Sequence, residues 1–269
     1  MKTNHQLKQL KDKSFVIELT LNSADIQKEY QHVLAEIQEN FESKGFRKGK
    51  APLDVVERNI SPQAVIEEVL NHLLPQSYKS IIEEHQLKPI TEPNIKIKSE
   101  KLSLDSDWLL ELESAELPEI KIDPKLFTEI KNLNKDDKTE KKAKMDQIVT
   151  LILKHSTINM PAILLNNDVN RRLSELVEQL QSANLTVEQY FKNKKTTLPE
   201  YRQELEKQIQ NDWTLNLAIN QISVDQKIKI EDNDIKAVYE KSPELKNDPQ
   251  LVYYLLTQQK VLDYLQSIS

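Results

Sequence analysis

Apolar and polar residues alternate over Phe15-Val16-Ile17-Glu18-Leu19-Thr20-Leu21. Phe15, Ile17, Leu19 and Leu21 therefore share one face, the period of a half-buried strand. The period then lengthens. Ser23 reads as a helix N-cap, and Ile26, Tyr30, Val33, Leu34, Ile37 and Phe41 recur at helical spacing, which predicts a helix to about Phe41. A loop over 42–51 follows, and Pro52 is placed as the first residue of a second helix through Val55 and Val56. Ser61-Pro62 opens a third, whose apolar stripe runs Val65, Ile66, Val69, Leu70, Leu73, Leu74. Pro75 is expected to kink or break it, because proline lacks the N–H and crowds the preceding turn. Beyond it Tyr78, Ile81 and Ile82 continue the stripe. Ile95 with Ile97, and Trp108, Leu110 and Leu112, predict two more strands.

Residues 1–122 thus read as an α+β domain. Lys131 to Lys144 is nearly all charged or polar and reads as a linker or an exposed helical entry. The pattern beyond is helical almost throughout. Pro161 is placed to open a helix, Thr186 with Gln189 forms a capping-box pattern, Thr197 and Pro199 open a long helix, and Asp248-Pro249 starts the last. The organisation expected is a domain over 1–122, a charged linker over 123–144, and an elongated all-α domain over 145–269.

Composition narrows what such a chain can do. Hydrophobic residues make up 38% and charged residues 30% of 269 residues, which suits long amphipathic helices better than a compact enzyme. There is no cysteine, so disulfides, thiolate metal sites and cysteine nucleophiles are excluded. No apolar run approaches the length of a membrane span or a signal peptide, and the expected location is the cytoplasm, with no membrane partner. The net charge of -6 disfavours general nucleic-acid binding. Glycine occurs only at Gly45 and Gly49. Phosphate-cradling loops, nucleophile elbows and dinucleotide fingerprints need glycine elsewhere, so none is expected, and no cofactor with them. His5, His32, His72, His85 and His155 show no metal-ligand spacing, and Asp232-Asn233-Asp234 lacks the glycine of a calcium loop. No metal site is expected.

Both glycines lie in Gly45-Phe46-Arg47-Lys48-Gly49-Lys50-Ala51-Pro52, between two predicted helices. This segment concentrates Lys44, Arg47, Lys48 and Lys50 on an acidic chain and sets Phe46 among polar neighbours. An aromatic anchor surrounded by cations suits a surface of RNA phosphates and protein together. The competing reading is a solvated turn whose Phe46 folds back on its own domain.

Gly-Phe-Arg-Lys-Gly-Lys-Ala-Pro is similar to the ribosome-binding signature of bacterial trigger factors, Gly-Phe-Arg-x-Gly-x-x-Pro. Ala115-Glu116-Leu117-Pro118-Glu119-Ile120 resembles that family's exit from its first domain. Asn159-Met160-Pro161 through Arg171-Arg172-Leu173, and Thr214-Leu215-Asn216-Leu217-Ala218-Ile219, resemble its helical chaperone domain. The resemblance implies an ATP-independent chaperone that docks at the ribosomal tunnel exit through Gly45, Phe46, Arg47, Lys48, Gly49 and Lys50. Its partners would be ribosomal RNA, a tunnel-exit ribosomal protein and unfolded nascent polypeptides, with homodimer formation by the free protein left open.

Most of that family carry an FKBP-type prolyl isomerase between the two halves. Here only 123–144 lies between them, about two dozen residues and too few for a domain with its own core. Isomerase activity, and enzyme activity generally, are not expected. Candidate client-binding residues are Met160, Leu164, Tyr190, Phe191, Tyr253, Tyr254 and Tyr264, each of which core packing explains as well. The alternative within the same class is a ribosome-free holdase similar to the periplasmic helper SurA.

Overall fold

The computed structural model describes residues 4–135 and 141–268, with the side chain of Lys141 left aside. The chain divides into two compact units, Met1–Leu117 and Pro118–Ser269.

The first unit comprises β1 (Asn4–Gln9), β2 (Ser14–Leu21), α1 (Ser23–Asn40), α2 (Leu53–Asn59), α3 (Pro62–Glu84), β3 (Asn94–Ile97) and β4 (Trp108–Ala115). The strands form one antiparallel sheet in the order β1-β2-β4-β3. Register follows the alternation in the sequence, with Ile17 opposite Leu112, Leu19 opposite Leu110 and Leu21 opposite Trp108. This apolar face is buried under Ile26, Tyr30, Val33 and Leu34 of α1 and Val65, Val69, Leu73 and Ile81 of α3. A one-residue slip would turn every one of these strand residues to water, so burial fixes the register. Glu18 lies opposite Glu111 on the other face. That like-charge pairing is offset by Lys98, 2.7 Å from Glu111, and Lys96 at 3.2 Å. Their hydrogen bonds hold the Glu111 carboxyl below its usual pKa, Lys98 contributing most.

Three features of this unit depart from the sequence reading. β1 is an edge strand with Leu7 as its one core contact, too polar to show in the alternation. Its turn into β2 is held by Asp12, whose carboxylate accepts from the Ser14 N–H and hydroxyl, while Lys13 takes φ 70°. The cap of α1 is Asn22 rather than Ser23. Pro75 neither ends nor divides α3, which continues to Glu84. The ring sits on the exposed face, where the carbonyl left without a partner meets water, and buried Leu73, Leu74, Ser77 and Ile81 pin the helix on both sides.

The second unit is mainly helical: β5 (Ile120–Ile122), α4 (Lys125–Asn134), α5 (Lys141–His155), β6 (Ser156–Ile158), α6 (Ala162–Ser182), α7 (Val187–Lys194), α8 (Leu198–Asp225), α9 (Asp232–Lys241), a 3-10 turn (Pro243–Asn247) and α10 (Pro249–Ser267). Thr186 and Thr197 each close a capping box, with Gln189 and Glu200 respectively. β5 and β6 pair antiparallel, so the unit is not all-α as expected. The residues 123–144 are not a linker over their first half. Leu126 and Ile130 of α4 are fully buried with Ile148, Ile152, Ala218, Ile222, Val261 and Leu265. The charges of α4 hid a stripe at Leu126, Ile130 and Leu133 that has helical spacing. Asn134 donates from Nδ2 to the carbonyls of Leu265 and Ile268 at the end of α10, tying the two chain-distant helices. Beyond α4, 136–140 lie outside the described residues, and 141–144 are the first turn of α5. A second core, Val169, Leu205 and Ile209 with Trp213 and Tyr201, joins α6 to α8, and the Trp213 indole donates to Asp168 at 2.7 Å.

Candidate functional site

The basic segment is the connection between α1 and α2, and its base is tightly made. The Gly49 N–H donates to the Phe41 carbonyl at 3.1 Å, and Gln38 donates from Nε2 to the Ala51 carbonyl at 2.6 Å. Ala51 and, beyond it, Val56 are buried. Two turns shape the tip, Phe46 N–H to Ser43 carbonyl and Lys50 N–H to Arg47 carbonyl. Both glycines are required by the backbone. Gly45 has φ 93° and Gly49 φ 72°, and a Cβ at Gly49 would come within 2.8 Å of the Glu39 carbonyl oxygen.

This base holds out a tip of opposite character. Phe46 is 43% exposed and does not fold back into the core. Lys44, Arg47, Lys48 and Lys50 are all exposed around it. Lys48 lies 3.8 Å from Glu42, an exposed pair that costs little to break. Among the described residues Lys44, Arg47 and Lys50 have no ion-pair partner. Beside the loop, Val33, Glu36, Ile37, Asn40, Phe41 and Ile60 line a groove of 610 Å³.

The seven apolar residues singled out in the second unit fall into three groups. Leu164 and Phe191 are buried and belong to the core, which corrects their candidacy as surface contacts. Met160, Tyr190 and Tyr264 are half-buried. Met160 packs on the α6–α8 core, Tyr190 lies edge-on to Phe191 and Tyr201, and Tyr264 donates its hydroxyl to Gln226. Tyr253 and Tyr254 are exposed on α10, Tyr254 with its hydroxyl 2.6 Å from Asn216. Leu251 and Leu255 are exposed beside them, an i, i+4 pair; core and surface stripes share one period, so spacing alone does not tell them from core.

Four of the five histidines gather in two places, while His155 lies apart, 3.1 Å from Glu129. His32 and His72 meet with Glu29, and His5 and His85 meet with Glu84. Chain spacing could not reveal this, since each trio joins elements far apart in sequence.

A sheet-and-helix unit presents one aromatic and several cations on a loop that carries both glycines, and a mainly helical unit follows. Comparison with known proteins identifies the family. The family model for the bacterial trigger factor protein matches residues 3–151, and that for the trigger factor C-terminus matches 127–269. The chain belongs to the bacterial trigger factor family. The matched stretches overlap, and no FKBP-type domain lies between them.

Among curated relatives, the trigger factor of Enterococcus faecalis is 29% identical over 107 residues, 40% of this chain and 25% of its own. That of Exiguobacterium sibiricum is 29% identical over 157 residues, 57% of this chain and 35% of its own. The chain thus spans 25% to 35% of the length of these relatives. A solved structure of a trigger factor chaperone, described for promiscuous substrate recognition in folding and assembly, has a TM-score of 0.62 at 13% identity. It covers 98% of this chain and 100% of its own, a likeness of fold.

Proposed function

We propose that this chain is an ATP-independent chaperone that docks on the ribosome through loop 45–52 and shields nascent polypeptides. The observation that carries the reading is Phe46 held in solvent between two positive-φ glycines, ringed by four cations on a chain of net charge -6. Cations meet RNA phosphates anywhere, whereas an exposed phenyl ring needs an apolar recess, so the pair selects a mixed RNA–protein surface. The loop's buried base supports this use, because a rigid stem loses less conformational freedom on docking.

Clients would meet the exposed apolar stretch Leu251, Tyr253, Tyr254 and Leu255 of α10, with Met160, Tyr190 and Tyr264 as half-buried additions. Such a surface holds unfolded chains without bond making or breaking, so neither a cofactor nor isomerase activity enters the reading. A photo-crosslinking residue placed at Phe46 tests the docking assignment. Crosslinks to tunnel-exit components support it, and crosslinks confined to bulk cytosolic proteins contradict it.

A further inference from the structure

Glu29 and His32 lie one turn apart on α1, and His72 faces them from α3. His72 Nδ1 is 2.9 Å from Glu29 Oε1, and His32 Nδ1 is 3.4 Å from the same oxygen. One donor atom from each residue falls within 4.8 Å of the others. A tetrahedral zinc ion with bonds of about 2.0–2.1 Å requires donors about 3.3 Å apart. The trio is therefore near ligand spacing already.

We propose that Glu29, His32 and His72 form a site for a divalent transition metal ion of the zinc class, clamping α1 to α3. The surroundings fit this assignment. With Nδ1 turned to the ion, His72 Nε2 faces the carboxylates of Glu68 at 3.5 Å and Glu36 at 3.9 Å, which add negative charge beside the ring. Glu36 also lies 3.7 Å from His32 Nδ1. Three carboxylates around two neutral imidazoles leave a local negative charge for a cation to offset. Two nitrogen donors favour zinc, nickel or cobalt over calcium or magnesium, which take oxygen shells. Glu29 and His72 are largely sheltered, with side chains 20% and 27% exposed, while His32 at 61% keeps an open approach.

The second trio, His5, Glu84 and His85, pairs its two imidazoles Nε2 to Nε2 at 2.8 Å, and His85→Ala removes it, so that variant reads the Glu29, His32 and His72 site by itself. The site does not depend on ribosome docking, and either reading can fail alone.

The test is isothermal titration of the untagged full chain with zinc chloride, beside His72→Ala, Glu29→Gln and His85→Ala. The expected result is one ion per chain, with affinity falling by at least about tenfold in His72→Ala and Glu29→Gln. His85→Ala should bind as the parent does. Zinc should also raise the unfolding temperature of the parent and of His85→Ala, since it binds the folded state only. Glu29→Gln, a near-isosteric change, keeps the test decisive if His72→Ala does not fold. Absence of zinc uptake by the parent, unchanged affinity in Glu29→Gln, or loss of binding in His85→Ala would each overturn the proposal.

Discussion

Replacing Phe46 by alanine, and separately replacing Arg47 and Lys50 together, divides ribosome docking into an apolar and an ionic part. A phenylalanine buries about 200 Å² when fully covered. With 43% of Phe46 still exposed, about 85 Å² remains to be covered, worth about 2 kcal/mol. Phe46→Ala should therefore weaken ribosome binding about 30-fold. The ionic part is read differently. Each phosphate neutralised contributes about 0.8 to the log–log slope of affinity against salt, so Lys44, Arg47, Lys48 and Lys50 together give about 3. A fourfold rise in salt then costs the parent about 80-fold and the Arg47/Lys50 double variant about 9-fold. The assay is fluorescence titration of labelled protein against purified ribosomes across a monovalent salt series at fixed magnesium. Phe46→Ala should lower the affinity and leave the slope alone, while the double variant should halve the slope. A double variant with the parent's slope, or a Phe46→Ala protein with the parent's affinity, would refute the assignment of these roles.

Three further outcomes follow from the geometry. Gly49→Ala places a side chain in the left-handed region and against the Glu39 carbonyl, so urea unfolding should report a loss of about 1–2 kcal/mol or more; an unchanged midpoint would contradict the tight loop base. Ile130→Ala opens a cavity in the second unit's core and should cost about 2–5 kcal/mol in the same assay, whereas a linker residue would cost nothing measurable. His72 is a pH-sensitive element when metal is chelated. Its pKa is raised in the fold, first by the Glu29 hydrogen bond and then by the charges of Glu36, Glu29 and Glu68. Its stabilisation is present in full below the unfolded pKa of about 6.5 and fades as pH rises through the folded value. The gap in melting temperature between parent and His72→Gln should narrow as pH rises above about 6.5, and a gap that widens would count against the cluster.

Much of the fold was legible because periodicity and caps agreed. Phe15 to Leu21 and Trp108 to Leu112 alternate and are buried on one face, and Thr186 and Thr197 start helices with both bonds of the box in place. The basic loop stood out for a different reason: both of the chain's glycines fall in it, and both take positive φ, although Lys13, Gln86, Asn184, Lys195 and Lys227 do so without glycine. The failures share a cause. β1 and α4 bury only one or a few residues among many charged ones, so their signal was smaller than the composition around it. Pro75 does not break α3, because packing on both flanks holds the helix together across it. Leu164 and Tyr253 both sit in apolar helical stripes, yet one is core and the other surface, and only the neighbouring helices decide which. The His32–His72 meeting is tertiary, beyond the reach of any spacing rule.

Sedimentation with ribosomes tests docking through this loop most directly. The parent protein, spun at low salt with purified ribosomes, should pellet with them, and the triple variant Phe46→Ala, Arg47→Ala, Lys48→Ala should stay in the supernatant while its circular dichroism matches the parent. Equal pelleting of both proteins, or pelleting of neither, would contradict the claim that this loop is the ribosome contact.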